Sequence, residues 1–470
     1  MVFSSAYFIL LFLPLVLTVY FLTPRKYRNL VLLASSLWFY AYGEGLLVLV
    51  MVFSTIVDFY AAQLIEAGRR KLGLRLSIAT NLTTLGIFKY FNFGIDNFLV
   101  VAGELGMSPE ALGHFPEIIL PMGISFYVFQ TMSYTIDVYR NQVKANRNFI
   151  EFATYVTMFP QLVAGPIVRY VDIKSYLSDR SVDLENFALG LERFILGLAK
   201  KLIIANTFAG LADVIFMHTD DGLSTGMAWL GVFAYSIQIY YDFSGYSDMA
   251  IGLGRMMGFT IPENFNYPFI SKSITEFWRR WHISLSTWFR DYLYIPLGGN
   301  RVSKSRMYAN LVIVFAVTGL WHGAAWTFII WGLLHGFFIL IEKLFLGKLL
   351  NKLPDFVGHL YMLFVIFSSW ALFRADDISQ SWAYLNHLFV YTAGNSELQA
   401  YIKYLHIDAH LVLVGVVGIL FSLPLYPAIS KRLKGSHYFI PRYVFITGLF
   451  FLCLTYLASG SYNPFIYFRF

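Results

Sequence analysis

Three histidines and a knot of arginine and tryptophan hold the chemistry this chain could do. His322 stands in Gly319-Leu320-Trp321-His322-Gly323, inside a run from Met307 to Ile341 with no Asp, Glu, Lys or Arg. An imidazole in so apolar a run is costly in lipid unless it faces protein or a wet cavity, and groups kept at that cost usually mark function. A neutral imidazole can take a proton from a hydroxyl, which is general-base work. Acyl transfer from a thioester to a hydroxyl would need no covalent enzyme intermediate. The base has only to meet the hydroxyl while the thioester is held in line. The bland alternative for His322 is a packing histidine, and its depth argues for function. His282 is harder to separate from a solvated interfacial residue. His335, thirteen residues after His322, falls on the other half of a run that should turn back on itself.

Just upstream, Glu276-Phe277-Trp278-Arg279-Arg280-Trp281-His282 sets charge beside indole. Arg279 and Arg280 could bind the phosphates of a nucleotide-bearing donor such as coenzyme A, because guanidinium offers a fork of donors. The same arginines could simply snorkel at an interface, and spacing alone favours that. Asp242 and Asp248 lie six residues apart. Six residues turn a helix by about 600° at ~3.6 per turn, so the two should find separate partners. A transporter could instead link them to His322 as a proton relay. His282, His322 and His335 lack the i, i+4 spacing of a metal-binding helix face, so no metal is expected.

The elements that must position these residues are membrane elements. Of 470 residues 57% are hydrophobic and only 13% charged, against about 25% charged in soluble domains. Mean hydropathy is +0.59. Lipid is therefore the first partner. The net charge of +7 does not point to nucleic acid, because the Lys and Arg fall in short clusters between apolar runs, as cytoplasmic loops require. Cys453 is the one cysteine, which excludes an internal disulfide and a Cys-rich metal site. The first apolar run, Val2 to Leu22, reads as a retained span with its N-terminus outside, since Arg25, Lys26 and Arg28 follow it. Glu104, Glu110 and Glu117 mark an outer loop, and Lys431-Arg432-Leu433-Lys434 an inner one.

Three stretches carry finer expectations. Phe159-Pro160-Gln161-Leu162-Val163-Ala164-Gly165-Pro166 reads as a re-entrant element or a kinked helix. Residues 276–294 read as one amphipathic helix in the cytoplasmic interface, with Phe277, Trp281, Leu285, Trp288 and Tyr292 on its apolar face. The run 307–341 is too long for one span of about 20 residues and should be a hairpin or re-entrant pair. Gly319 with Gly323, and Gly332 with Gly336, would let its helices approach closely. One membrane domain, 1–470, accounts for the chain, and the absence of inverted repeats counts against a transporter.

Several long strings resemble the membrane-bound O-acyltransferase family, and within it the bacterial subgroup containing the membrane subunit of alginate O-acetylation. They are Met1 to Ser5, Lys89-Tyr90-Phe91-Asn92-Phe93-Gly94, Gly123-Ile124-Ser125-Phe126-Tyr127, Phe159 to Pro166, Asp242 to Gly252, Phe277 to Arg301, Trp321-His322-Gly323 and Phe465-Ile466-Tyr467-Phe468. Together they cover essentially the whole chain. The resemblance implies an all-α polytopic fold, a ring of about 11 transmembrane helices with re-entrant and interfacial helices around a central tunnel. His322 would be the family's essential histidine at the waist of that tunnel. Acetyl-CoA would enter from the cytoplasm as donor, and the acetyl group would pass to periplasmic proteins that esterify a polysaccharide. The bacterial inner membrane is the implied location. The extension Tyr294 to Arg301 favours exopolysaccharide acetylation, alginate first; cellulose, peptidoglycan and teichoic-acid acylation use the same chemistry. The candidate set is His322 and His282 for catalysis, with Trp278, Arg279, Arg280, Trp281, Trp321, Asp242 and Asn300 for the donor.

Overall fold

Helices run through nearly all of the long apolar sequence, and Thr225–Met256 continues unbroken across glycines and buried carboxylates. The computed structural model describes residues 1–107, 113, 115–425 and 439–460. Among these there is no strand. Glu110, the 431–434 loop and the 465–468 string lie outside the described residues. Among the described residues five helical stretches are long and apolar enough to cross a membrane: Arg25–Glu66, Leu184–Met217, Trp326–Leu350, Asp355–Arg374 and Ile440–Ala458. A sixth arises if Ser396–His406 and Ala409–Phe421, bent by 77°, make one span. The protein is an all-α polytopic membrane protein. The first apolar run is helical over Phe8–Leu22, and its start is pinned by Phe3 packing on Phe8, Phe39 and Tyr246.

Apolarity alone is a poor count of spans here. The longest helix, Thr225–Met256, has 32 residues, about 48 Å at ~1.5 Å each. It carries Tyr240, Tyr241, Asp242, Ser244, Ser247 and Asp248, all buried in protein rather than offered to lipid. Leu184–Ala199 lies along it through two glycine pairs. A Cβ on Gly190 would sit 2.7 Å from the Gly252 carbonyl oxygen, and one on Gly197 would sit 2.5 Å from that of Gly245. Small residues permit this backbone contact, and larger ones would not.

The proline-glycine stretch is a buried break between helices. A helix at Phe149–Thr157 is followed by a four-residue helix, Phe159–Leu162, and then irregular backbone, all of it buried to Val168. Side chains satisfy the exposed main chain. Ser36 accepts from the Phe159 N–H at 3.0 Å, Ser284 accepts from Ile167 at 2.9 Å, and the Tyr155 hydroxyl donates to the Val168 carbonyl at 3.1 Å. Irregular backbone at membrane depth is tolerated only when protein or water supplies such partners.

The stripe at 276–294 corrects the expectation of a single helix. Ile274–Arg280 and Ile283–Phe289 are separate helices, and a π-turn follows at Arg290–Tyr294. His282 breaks the first two apart with φ of 46°, a left-handed conformation that costs energy without glycine. Asn264 over-determines the break. Its carbonyl accepts from Ile283 at 3.0 Å, and its side-chain oxygen accepts from the Ser284 N–H and hydroxyl at 3.2 and 2.9 Å. The apolar face is buried in protein, with Trp288 stacked on Phe129 at 3.7 Å.

The uncharged run is a helical hairpin, Lys304–His322 and Trp326–Ile341, broken at residues 323–325. Its glycines do what their spacing suggests. A Cβ on Gly319 would meet the Phe328 carbonyl oxygen at 2.3 Å, and one on Gly332 would meet that of Phe315 at 2.4 Å. Gly319→Val should therefore splay the hairpin at a cost of about 1–3 kcal/mol. Thermal unfolding in detergent should show a clear loss; a midpoint equal to wild type would refute the close packing. Two apolar packing units meet here. Trp321 belongs to the one built from residues 3–177, 194–202 and 246–292 with Cys453, while Phe328, Trp331 and Ile339 belong to the other. His322 sits at their seam.

Candidate active site

His322 is the last residue of its helix and is 5% exposed. Its Nδ1 lies 2.7 Å from the Thr318 carbonyl oxygen one turn back. A carbonyl can only accept, so Nδ1 carries the proton and Nε2 keeps the lone pair. That is the tautomer a general base needs. The ring lies against Trp331, Trp321 and Phe373 at centroid distances of 4.9, 5.0 and 5.7 Å. It also lines a narrow cavity of about 20 Å³, with Lys89, Gly123, Ser125, Val163 and Trp321.

Unsatisfied ring nitrogens concentrate around it. Both nitrogens of His282 and of His335, and the indole N–H groups of Trp278, Trp321, Trp331 and Trp370, have no hydrogen-bond partner among the described residues. Each such buried group costs about 1–3 kcal/mol, so several in one place fit a region built to receive polar groups. His282 reaches Trp321 at 6.0 Å, so the same indole touches both candidate histidines. His335 is 4.8 Å from Trp331 and 5.3 Å from Trp278. Sequence reasoning weighed His335 and passed over it, although it stands in the same uncharged run as His322.

The short helix Ile274–Arg280 joins this cluster to a second site. Its N-terminus is anchored by buried Glu342, which accepts from the N–H groups of Ile274 and Thr275 at 2.6 and 2.9 Å; a carboxylate suits the positive end of a helix. Trp278 faces inward to the histidines. Arg279 lines a cavity of about 650 Å³ with Lys272, Asn300, Glu342 and Lys343, among others. Asn300 is held there by Tyr294 at 2.7 Å and Lys343 at 3.2 Å. Lys272 is 2.5 Å from Asp355, so part of its charge is already answered. Arg279 forms no ion pair among the described residues. Three cations, Lys272, Arg279 and Lys343, face three carboxylates, Glu276, Glu342 and Asp355, across this cavity, so its charge is mixed.

The remaining candidates lie elsewhere. Arg280 is turned away from Arg279 and pairs with Glu276 at 2.9 Å, while also donating to the Asn266 carbonyl. Trp281 is core, packed on Phe277, Phe265 and Trp370. Asp242 pairs with Lys201 at 2.5 Å, and Asp248 with Lys200 and Arg193, both at 2.6 Å. Adjacent lysines thus serve the two carboxylates separately, as their spacing around the helix requires. Among the described residues no three His, Cys, Asp or Glu side chains converge as metal ligands would.

The membrane-bound O-acyltransferase family matches residues 115–373, which span the arginine-tryptophan stretch 276–282, the hairpin, and His282, His322 and His335. The chain belongs to that family. It is 47% identical to a probable alginate O-acetylase of Azotobacter vinelandii, over 81% of this chain and 77% of the relative. A probable alginate O-acetylase of Pseudomonas putida is 41% identical over the full length of both. A peptidoglycan O-acetyltransferase of Helicobacter pylori is 36% identical over 81% and 78%. As a membrane-bound O-acyltransferase the protein moves an acyl group to an oxygen. The other residues around His322 that sequence reasoning missed are Lys89, Ser125, Thr318 and Trp331. Lys89 had a signal, a lysine in an apolar span, but no clue to its partner.

Proposed function

We propose that the protein takes acetyl groups from acetyl-CoA at the cytoplasmic face of the bacterial inner membrane and delivers them for O-acetylation of an exopolysaccharide, alginate first. The observation behind this reading is the imidazole of His322, with Nδ1 committed to Thr318 and Nε2 free. The acceptor hydroxyl gives its proton to Nε2, its oxygen attacks the thioester carbonyl, and the carbon–sulfur bond breaks. The departing thiolate then recovers the proton from the imidazolium. Positioned proton transfer of this kind is worth about 10²–10⁴-fold. Trp321 lies against both His322 and His282. The acetyl group passes on to periplasmic partner proteins that esterify the polymer. Among the relatives compared, those bearing alginate in their names have the higher identities, which puts alginate ahead of peptidoglycan.

The donor's phosphates belong with Arg279, Lys343 and Asn300, and its acyl arm follows Trp278 toward His335 and His322. Arg279→Ala should weaken acetyl-CoA binding about tenfold, a loss of ~1.4 kcal/mol, with little change in thermal stability. Arg280→Ala should do the reverse, because its partners are within the fold. Titration of the detergent-solubilised protein with acetyl-CoA tests both. Wild-type affinity in the Arg279 variant removes the donor from this cavity.

A further inference from the structure

We propose that Lys89 is a positioning residue for His322, its ammonium fixing the end of the helix that carries the imidazole. The inference rests on the general-base role of His322 proposed above. Lys89 lies in a π-turn, Gly86–Tyr90, and is buried. Its ammonium donates to the Trp321 carbonyl and to the Ser125 hydroxyl at 3.1 Å, with the His322 carbonyl at 3.5 Å. The next residue, Tyr90, donates its hydroxyl to the Leu320 carbonyl at 2.9 Å. The last carbonyls of a helix have no acceptor role within it, and they form its negative end. A cation and a phenol therefore occupy the three carbonyls that lead into and include His322.

The other side of the break is held from the same place. Asn97, on the helix Phe91–Glu104, accepts from the Trp326 indole at 2.8 Å, and Phe93 packs on the same ring at 5.7 Å. One helix and the turn before it thus grip both sides of the hairpin tip. Lys89 lies over the Trp321 ring at 5.8 Å and lines the same narrow cavity as the imidazole. Lys201, also buried, is matched by the carboxylate of Asp242. Lys89 places its charge on the backbone beside the reactive ring instead. Displacing a reacting group by about 1 Å can cost ~10²-fold in rate.

The test uses inverted membrane vesicles from the native host, given labelled acetyl-CoA, with acetyl ester on the polymer as readout. Lys89→Met should lower the maximal rate about a hundredfold, leave the KM for acetyl-CoA within about twofold, and leave the amount of protein in the membrane unchanged. Ser125→Ala, which removes one acceptor and leaves the fold alone, should give a smaller loss of the same kind. Added ethylammonium should restore part of the rate to Lys89→Ala. A maximal rate near wild type in Lys89→Met overturns the inference, as does a loss that merely follows the amount of protein. His322→Ala run beside these separates the two claims. An active His322→Ala sinks the general-base reading, whereas an inactive one beside a fully active Lys89→Met sinks only the positioning role.

Discussion

His322→Ala should reduce acetyl-ester formation by about 10²–10⁴-fold, a rise in barrier of roughly 2.7–5.5 kcal/mol. Insertion and thermal stability should be nearly unchanged. The ring's one hydrogen bond within the protein goes to the Thr318 carbonyl, which also serves the helix ladder. Removing the ring therefore strands no donor elsewhere. The neighbouring Trp321 and Trp331 keep the hairpin packed through their other contacts, with Phe126 and Trp278 respectively. Ester content of the polymer from cells carrying only the variant is the direct measurement. Wild-type ester content with protein present in the membrane would take His322 out of the reaction.

Asp242→Ala should instead unfold the protein easily. The carboxylate pairs with Lys201 at 2.5 Å, and their side chains are 1% and 3% exposed. Truncating one partner leaves a charge buried, which typically costs about 3–5 kcal/mol. Replacing both, in Asp242→Ala with Lys201→Met, should recover most of that loss, because no uncompensated charge remains. The thermal midpoints of the wild type, the two single variants and the double variant form the cycle. If Asp242→Ala kept its midpoint but lost acetyl-CoA affinity, Asp242 would be a donor-binding residue rather than half of an ion pair. Gly245, a few residues along the same helix, should be similarly intolerant, since its Cβ would lie 2.8 Å from the Gly197 carbonyl oxygen.

The different fates of Arg279 and Arg280 show where sequence stops. Both arginines are adjacent, charged and flanked by tryptophan, and nothing in their order separates them. The structure turns one into a polar cavity and ties the other to Glu276. Trp278 and Trp281 divide in the same way, one facing the histidines and the other buried in core. His282 is a third case. Its burial depends on a left-handed residue held by Asn264, some eighteen positions upstream.

The sequence by itself determined the membrane setting and the two-helix form of the uncharged run; it narrowed Phe159 to Pro166 to a re-entrant element or a kink, and it singled out His322 as the candidate base. These follow from local facts: apolar length against bilayer thickness, prolines that end helices, glycine spacing, and the cost of an imidazole in an uncharged run. Only the tertiary structure decided which groups surround that imidazole. Lys89 reaches Trp321 across 232 positions of chain, and Asp242 meets Lys201 from another helix. Such partners are set by how helices pack. Packing depends on the summed fit of many side chains over long sequence separations, and no local pattern encodes it.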